Sequence, residues 1–106
     1  MSVYWIGRTK IFDRNPIAEY SRLTQLAVAK HPRRTLAWSG EFREIEGESI
    51  YDRYVIHEYN SMEEALAFYN SDEYQQAVPL RMAASRGHSN LVLLEGLSSS
   101  TARLKA

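Results

Sequence analysis

The chain has no cysteine, only three prolines and five glycines, and no long apolar run among its 106 residues. The lack of cysteine excludes disulfides, thiolate zinc sites and cysteine nucleophiles. Purely apolar runs such as residues 91–94 are too short to cross a bilayer, and no apolar segment follows a basic N-terminus as in a signal peptide. We therefore expect a cytoplasmic protein that has no membrane partner.

Neither sign of charge is in excess, since 13 basic residues balance 13 acidic ones. Nucleic-acid-binding proteins usually carry a basic face or stripe, so we expect no nucleic-acid partner. The one local basic group, residues 30–34, precedes a glutamate-rich stretch and is interpreted as a solvated loop. The length of 106 residues predicts a single domain over residues 1–96, followed by a flexible serine-rich tail over residues 97–106.

The first half of the chain predicts a strand, a helix and a second strand. Residues 3–11 are rich in aromatic and β-branched side chains, which favours a strand. Asn15 followed by Pro16 is typical of a helix start, with Asn15 as the N-cap. An apolar stripe of helical spacing then continues until Pro32 ends the helix. Residues 35–45 predict the second strand.

The second half predicts a strand, two helical pieces and a last strand. Residues 50–59 form the third predicted strand. Ser61, with a glutamate three residues later, is typical of a capping box, and Ser71 predicts the start of another helical piece. Pro79 lies inside that piece and predicts a kink or a restart. Residues 91–95 predict the fourth strand.

The order β-α-β-β-α-β predicts an α+β fold of the ferredoxin-like type, a four-stranded antiparallel sheet with helices on one face. A sheet with one wet face should alternate apolar and polar residues. This chain does not, because residues 91–94 are apolar throughout and the neighbours Trp5 and Ile6 point to opposite faces. We therefore expect a homodimer in which two sheets pack face to face, as in a dimeric α/β barrel.

A characteristic run of residues joins the third strand to the helices. The strand ends in Glu58 and Tyr59, an alanine-rich helix follows Ser61, and residues 68–75 combine an aromatic–tyrosine pair with a serine–aspartate–glutamate–tyrosine step. With the closing residues 92–96, this pattern resembles the DUF1330 family of uncharacterised proteins, within the dimeric α/β-barrel superfamily. The resemblance covers nearly the whole predicted domain. It implies fold and dimeric assembly, and it brings no established activity.

His57 is the first candidate for chemistry. A strand histidine that faces the interior of a barrel can act as a general base near neutral pH. The alternative is a structural histidine with a hydrogen-bonded ring. Glu58 points to the opposite face, and we expect it to pair with Arg8 or Arg53 or to cap a sheet edge. Three scattered histidines without helical spacing predict no metal site, and no motif predicts a cofactor.

A second candidate group is Arg81 with Tyr69 and Tyr74. An arginine beside phenols can orient an anionic or carbonyl ligand with its forked donors. The alternative is that the tyrosines are core residues and that Arg81 braces the helix. Further aromatic side chains predict either an apolar ligand cavity or a filled dimer interface, and they are Trp5, Trp38, Tyr4, Tyr54 and Phe42.

These residues are compatible with three functions. The first is binding of a small organic or aromatic molecule between sheet and helices, by Trp5, Trp38, Tyr54, Tyr69 and Tyr74. The second follows from the superfamily resemblance and is a cofactor-independent monooxygenase or isomerase, with His57 as base and Arg81 as the group that orients an anion. The third is a structural dimer without a ligand.

Overall fold

The strands form one four-stranded antiparallel sheet, and the helices cover one of its faces. The structure is a computed structural model and describes residues 1–97. Its elements are β1 (Val3–Thr9), α1 (Ile17–Lys30), β2 (Arg34–Trp38), β3 (Arg53–Tyr59), α2 (Met62–Tyr69), α3 (Asp72–Ser85) and β4 (Ser89–Glu95). The strand order β2-β3-β1-β4 confirms the predicted ferredoxin-like fold. Apart from Leu97, the predicted tail over residues 97–106 lies outside the described residues.

Alternate strand residues point to opposite faces of the sheet, and only one face meets the helices. Trp5 of β1 is aligned with His57 of β3, and both side chains lie on the helix side. Ile6 is aligned with Ile56 of β3 and Val92 of β4 on the other side, which we call the open face. Large apolar side chains therefore occupy both faces of the sheet.

Aromatic side chains form the centre of the core between sheet and helices. The ring centre of Trp5 lies 5.4 Å from that of Phe68, 5.5 Å from that of Tyr74 and 6.1 Å from that of Tyr59. All four residues are at most 4% exposed. Since large aromatic rings bury the most apolar surface per residue, this cluster fixes the helices on the sheet.

Serine caps begin the two later helices as predicted. The Oγ atoms of Ser61 and Ser71 each accept a hydrogen bond from the backbone amide three residues on, at 3.1 and 3.3 Å. The prediction that Asn15 caps the first helix is wrong. The amide of Asn15 donates to Asp13 Oδ1 at 3.0 Å, and no side chain caps α1, which begins after Pro16. The side-chain acceptor in the turn before α1 is therefore Asp13 and not Asn15.

The connection between β2 and β3 differs from the prediction. β2 ends at Trp38, where the sequence pattern predicted a strand to residue 45, and residues 39–52 are irregular. Ser39 has a φ of 49°, and this left-handed conformation turns the chain out of the strand. The stretch after it carries four glutamates and is largely exposed, and its aromatic contact with the sheet is that of Phe42 with Tyr54, so it does not continue the strand.

Of the two outcomes predicted at Pro79, a kink or a restart, the restart does not occur, because α3 runs through Pro79 as one helix. The Pro79 ring is on the exposed side of the helix. Ala77 before it and Ala84 after it are fully buried, so both halves of the helix are held against the core although one ladder hydrogen bond is missing. Within residues 1–97, none of the helices combines the length and the apolar character that a membrane crossing requires.

Candidate functional site

A cavity of about 220 Å³ lies between the helix side of the sheet and helices α1 and α3, and we call it the central cavity. Gly7 lies in the middle of β1, at the floor of the cavity. A Cβ atom at this position would lie only 3.1 Å from Val55 Cγ2, so the lack of a side chain keeps this part of the floor open. All four strands contribute to the wall. The lining side chains that matter below are Trp5, Tyr20, Thr24, Arg33, Thr35, Trp38, Arg53, His57, Tyr74 and Arg81.

Two of the lining arginines contact aromatic side chains. Arg33 donates to the hydroxyl of Tyr59 at 3.2 Å, and its guanidinium carbon lies 4.6 Å from the ring centre of Phe68. The guanidinium carbon of Arg53 lies 5.8 Å from the ring centre of Trp38. Cation–π contacts of this kind hold a guanidinium in place without neutralising it.

The third lining arginine, Arg81, belongs to a chain of hydroxyl groups. Arg81 Nη1 donates to the hydroxyl of Tyr74, and the hydroxyl oxygens of Tyr74 and Tyr20 are 3.0 Å apart. Burial raises the pKa of Tyr74 well above its ordinary value, so this phenol stays protonated. Among residues 1–97, Arg81 Nε and Thr24 Oγ1 are buried without a hydrogen-bond partner. The wall therefore retains unused hydrogen-bonding capacity.

His57 is held in one orientation at the cavity wall. His57 is only 6% exposed, and its Nδ1 atom lies 2.9 Å from Thr35 Oγ1. Burial, together with the positive charges of Arg33 and Arg53, lowers the pKa of His57 to about 3. His57 is therefore neutral at physiological pH, and Nε2 is the ring nitrogen not engaged by Thr35.

Protonation of His57 should make stability depend on pH. The pKa is about 3 in the folded protein against 6.5 in the unfolded chain, so between these values only the unfolded chain binds the proton. Stability is thus complete above 6.5 and falls as the pH drops, by about 2 kcal/mol at about pH 5. Urea unfolding of the wild type and His57→Gln near pH 7.5 and pH 5 measures this loss.

The loss should disappear in His57→Gln and persist in His88→Gln, which changes an exposed histidine and leaves His57 in place. An equal loss of stability in His57→Gln and the wild type would contradict the buried, neutral state of His57.

Five residues predicted for the site line the central cavity, and they are His57, Arg81, Trp5, Trp38 and Tyr74. Tyr69 lies beside the cavity, with its ring centre 6.1 Å from that of Trp5. Tyr54 was predicted to line the cavity, but it does not. Its side chain lies on the open face, 4.7 Å from Phe42 between ring centres, because it alternates with the inward-facing Val55.

Sequence reasoning missed the roles of Arg33, Arg53, Tyr20 and Thr24. Arg53 could have been found, because it lies two and four residues before Val55 and His57 on the same face of β3. Tyr20 and Thr24 are four residues apart and share one face of α1. Arg33 gave no such signal, since it lies in the segment interpreted as a solvated loop.

Glu58 does not pair with Arg8 or Arg53 as predicted. It accepts from Arg34 Nε at 2.9 Å, because Arg34 is aligned with Glu58 across β2 and β3. This pair lies at the edge of the open face and has no part in the central cavity. In the portion of the chain that the structure describes, no three histidine or acidic side chains come together as metal ligands would.

Comparison with known proteins identifies a family and supports the fold. The sequence model of the family described as domain of unknown function (DUF1330) matches residues 2–97. Among curated proteins there is no match to this sequence.

Several solved structures share the fold at low sequence identity. A protein of unknown function from Rhodopseudomonas palustris is 17% identical, with a TM-score of 0.76 over 92% of this chain and 83% of that one. A dimeric ferredoxin-like protein of unknown function from Jannaschia sp. CCS1 is 14% identical, with a TM-score of 0.67 over 91% and 100%. A protein from Caulobacter crescentus CB15 described as a candidate antibiotic biosynthesis monooxygenase is 18% identical, with a TM-score of 0.55 over 92% and 91%.

Proposed function

We propose, from the premise that this chain belongs to the DUF1330 family, that the central cavity binds a small organic molecule. The observation that carries the proposal is the combination of tryptophan rings and converging polar side chains around one cavity. Ligand sites in proteins are typically apolar clefts with a few polar groups that orient the ligand. The volume of about 220 Å³ is below the usual range for drug-sized ligands, so the best fit is a compound with a single ring.

The lining suits such a ring. Trp5 is 4% exposed and forms part of the floor, whereas Trp38 is 66% exposed and lies at the edge strand β2. Trp38 is thus accessible to a ligand that enters from solvent. Thr24 on α1 and the fixed ring of His57, which lies beside Trp5 on the sheet, supply hydrogen-bonding groups at the cavity wall.

Catalysis with His57 as base has weaker support. A general base works best when its pKa lies near the operating pH, and the pKa of His57 is about 3. His57 is better suited to donate or accept a hydrogen bond than to remove a proton. Binding is therefore the function we propose. If no compound binds in the following experiment, the result favours the alternative of a structural dimer without ligand.

Binding is tested by thermal shift and calorimetry with one-ring compounds, both neutral and charged. At least one should raise the melting temperature of the wild type, because a ligand that prefers the native state stabilises it. Trp38→Ala should weaken that binding by about 10-fold, whereas Phe42→Ala, which removes an aromatic ring outside the cavity, should not change it. The proposal fails if no compound binds, or if both variants bind like the wild type.

We also propose that the protein is a homodimer formed through the open face. The middle row of this face is apolar across all four strands, with Ala37, Ile56, Ile6 and Val92 aligned. Val92 and Leu94 are 47% and 54% exposed in the single protomer. The Arg34–Glu58 pair borders the apolar row, as polar rims border protein interfaces. The fold relative from Jannaschia is described as dimeric, which favours a second copy as the partner.

A further inference from the structure

We infer that the ligand of the central cavity is an organic acid whose carboxylate pairs with the cavity arginines, an inference that rests on the proposed function. Arg33, Arg53 and Arg81 all line the cavity, and no acidic residue of the described chain lies among the lining residues. Arginine keeps its charge at any physiological pH. A neutral ligand would leave three positive charges without a counter-charge, whereas an acid would offset them.

Among residues 1–97, exposed arginines such as Arg8 and Arg86 also have no ion pair, but the three cavity arginines are partly buried and line the same cavity. The chain has 13 acidic residues, so carboxylates are not scarce. The ion pairs found within residues 1–97 engage none of the three cavity arginines, and they are Lys10–Asp52, Arg22–Glu19, Lys30–Glu73 and Arg34–Glu58. Basic side chains that do have acidic partners therefore lie elsewhere on the protein.

The contacts of the three arginines are neutral. Arg33 and Arg81 are only partly exposed, and they bond to phenol groups and pack on rings. A charge that has lost part of its hydration is stabilised most by an opposite charge with matching hydrogen bonds. His57 adds a hydrogen-bonding group without adding charge, because it is neutral. The cavity thus has an excess of positive charge for a ligand to neutralise.

Arg81 is prepared for such a pair. Its contact with Tyr74, which is in turn bonded to Tyr20, fixes the position of the guanidinium before any ligand arrives. Nη1 makes this contact and Nε is buried without a partner, so the guanidinium retains hydrogen-bond donors for a carboxylate. The aromatic walls then suit the rest of the acid, so the expected ligand class is an aromatic or short apolar carboxylate.

Matched ligand pairs test the inference directly. Calorimetry compares benzoate with benzamide, which keeps the ring and replaces the carboxylate by a neutral amide, in low and in high salt. Benzoate should bind at least about 10-fold more tightly than benzamide, because a charged hydrogen bond is stronger than a neutral one. The benzoate affinity alone should fall with added salt, since salt screens charge.

Variants test whether the preference for benzoate over benzamide arises in the cavity. Arg81→Gln should abolish the preference for benzoate, whereas Arg86→Gln, which removes an exposed arginine just after the same helix, should keep it. Benzamide binding as tightly as benzoate would overturn the inference and leave the proposed function intact. Binding of neither compound, nor of any other one-ring compound, would overturn the proposed function and this inference with it. A preference that survives in Arg81→Gln, Arg33→Gln and Arg53→Gln alike would overturn the inference, because the carboxylate would then pair outside the cavity.

Discussion

Val92→Asp should convert the proposed homodimer to a monomer. Val92 lies in the apolar row of the open face and is 47% exposed in the protomer, so the single protomer can tolerate an aspartate there. In the dimer the carboxylate would be buried without a partner, which costs about 3–5 kcal/mol, and two-fold symmetry places two copies in the interface. Dimer dissociation should become at least about 100-fold more favourable.

Analytical ultracentrifugation measures this effect as a change in mass. The wild type should sediment as a particle of twice the 12.2 kDa chain mass, and Val92→Asp as a single chain. Leu26→Glu is the control, because it removes a 46% exposed leucine from the outer side of α1, far from the open face. It should remain dimeric. A monomeric wild type, or a dimeric Val92→Asp of wild-type affinity, would contradict pairing through the open face.

Trp5→Ala should cause the largest loss of stability of any single substitution in the core, about 3–5 kcal/mol. Trp5 is 4% exposed and contacts aromatic rings from β3, α2 and α3 at once. Removing its ring leaves a cavity between the sheet and both later helices, which cannot close without shifting them. Because small domains are stable by only about 5–15 kcal/mol, the variant should be close to unfolding. Urea denaturation gives the free energy.

Trp38→Ala is the matched control, since it deletes the same ring from the same cavity wall. Trp38 is 66% exposed and its ring lies 5.8 Å from the Arg53 guanidinium carbon, so its removal should cost no more than about 1 kcal/mol. If Trp5→Ala is too unstable to measure, Trp5→Phe should show a smaller loss in the same direction. Equal losses for Trp5→Ala and Trp38→Ala would contradict the central place of Trp5 in the core.

Most of the fold could be predicted from local sequence patterns. Ser61 and Ser71 cap helices in the structure as in the prediction, because capping depends on neighbouring residues alone. The boundaries that failed depend on context. β2 stops at Trp38 because Ser39 adopts a left-handed conformation, and α3 continues through Pro79 because packing on both sides outweighs one missing hydrogen bond.

The candidate site was less accessible to prediction. His57 and Arg81 stood out by residue type, and both do line the cavity. The chain folds them next to Arg33, which is distant from both in sequence and lies in a segment that resembles a surface loop. Charge counting could not reveal the cationic cavity either, since the whole chain has no net charge. The positive charge of the cavity depends on the absence of acidic residues from its wall. That absence follows from the tertiary structure and not from the composition of the chain.

A crystal structure of the protein soaked with benzoate tests the central claim, that the central cavity is a site for an organic acid. We expect the ring against Trp5 or Trp38 and the carboxylate oxygens within about 3 Å of guanidinium nitrogens of the cavity arginines. Benzoate found only on the outer surface of the protein, with the cavity unchanged at saturating ligand, would contradict the claim.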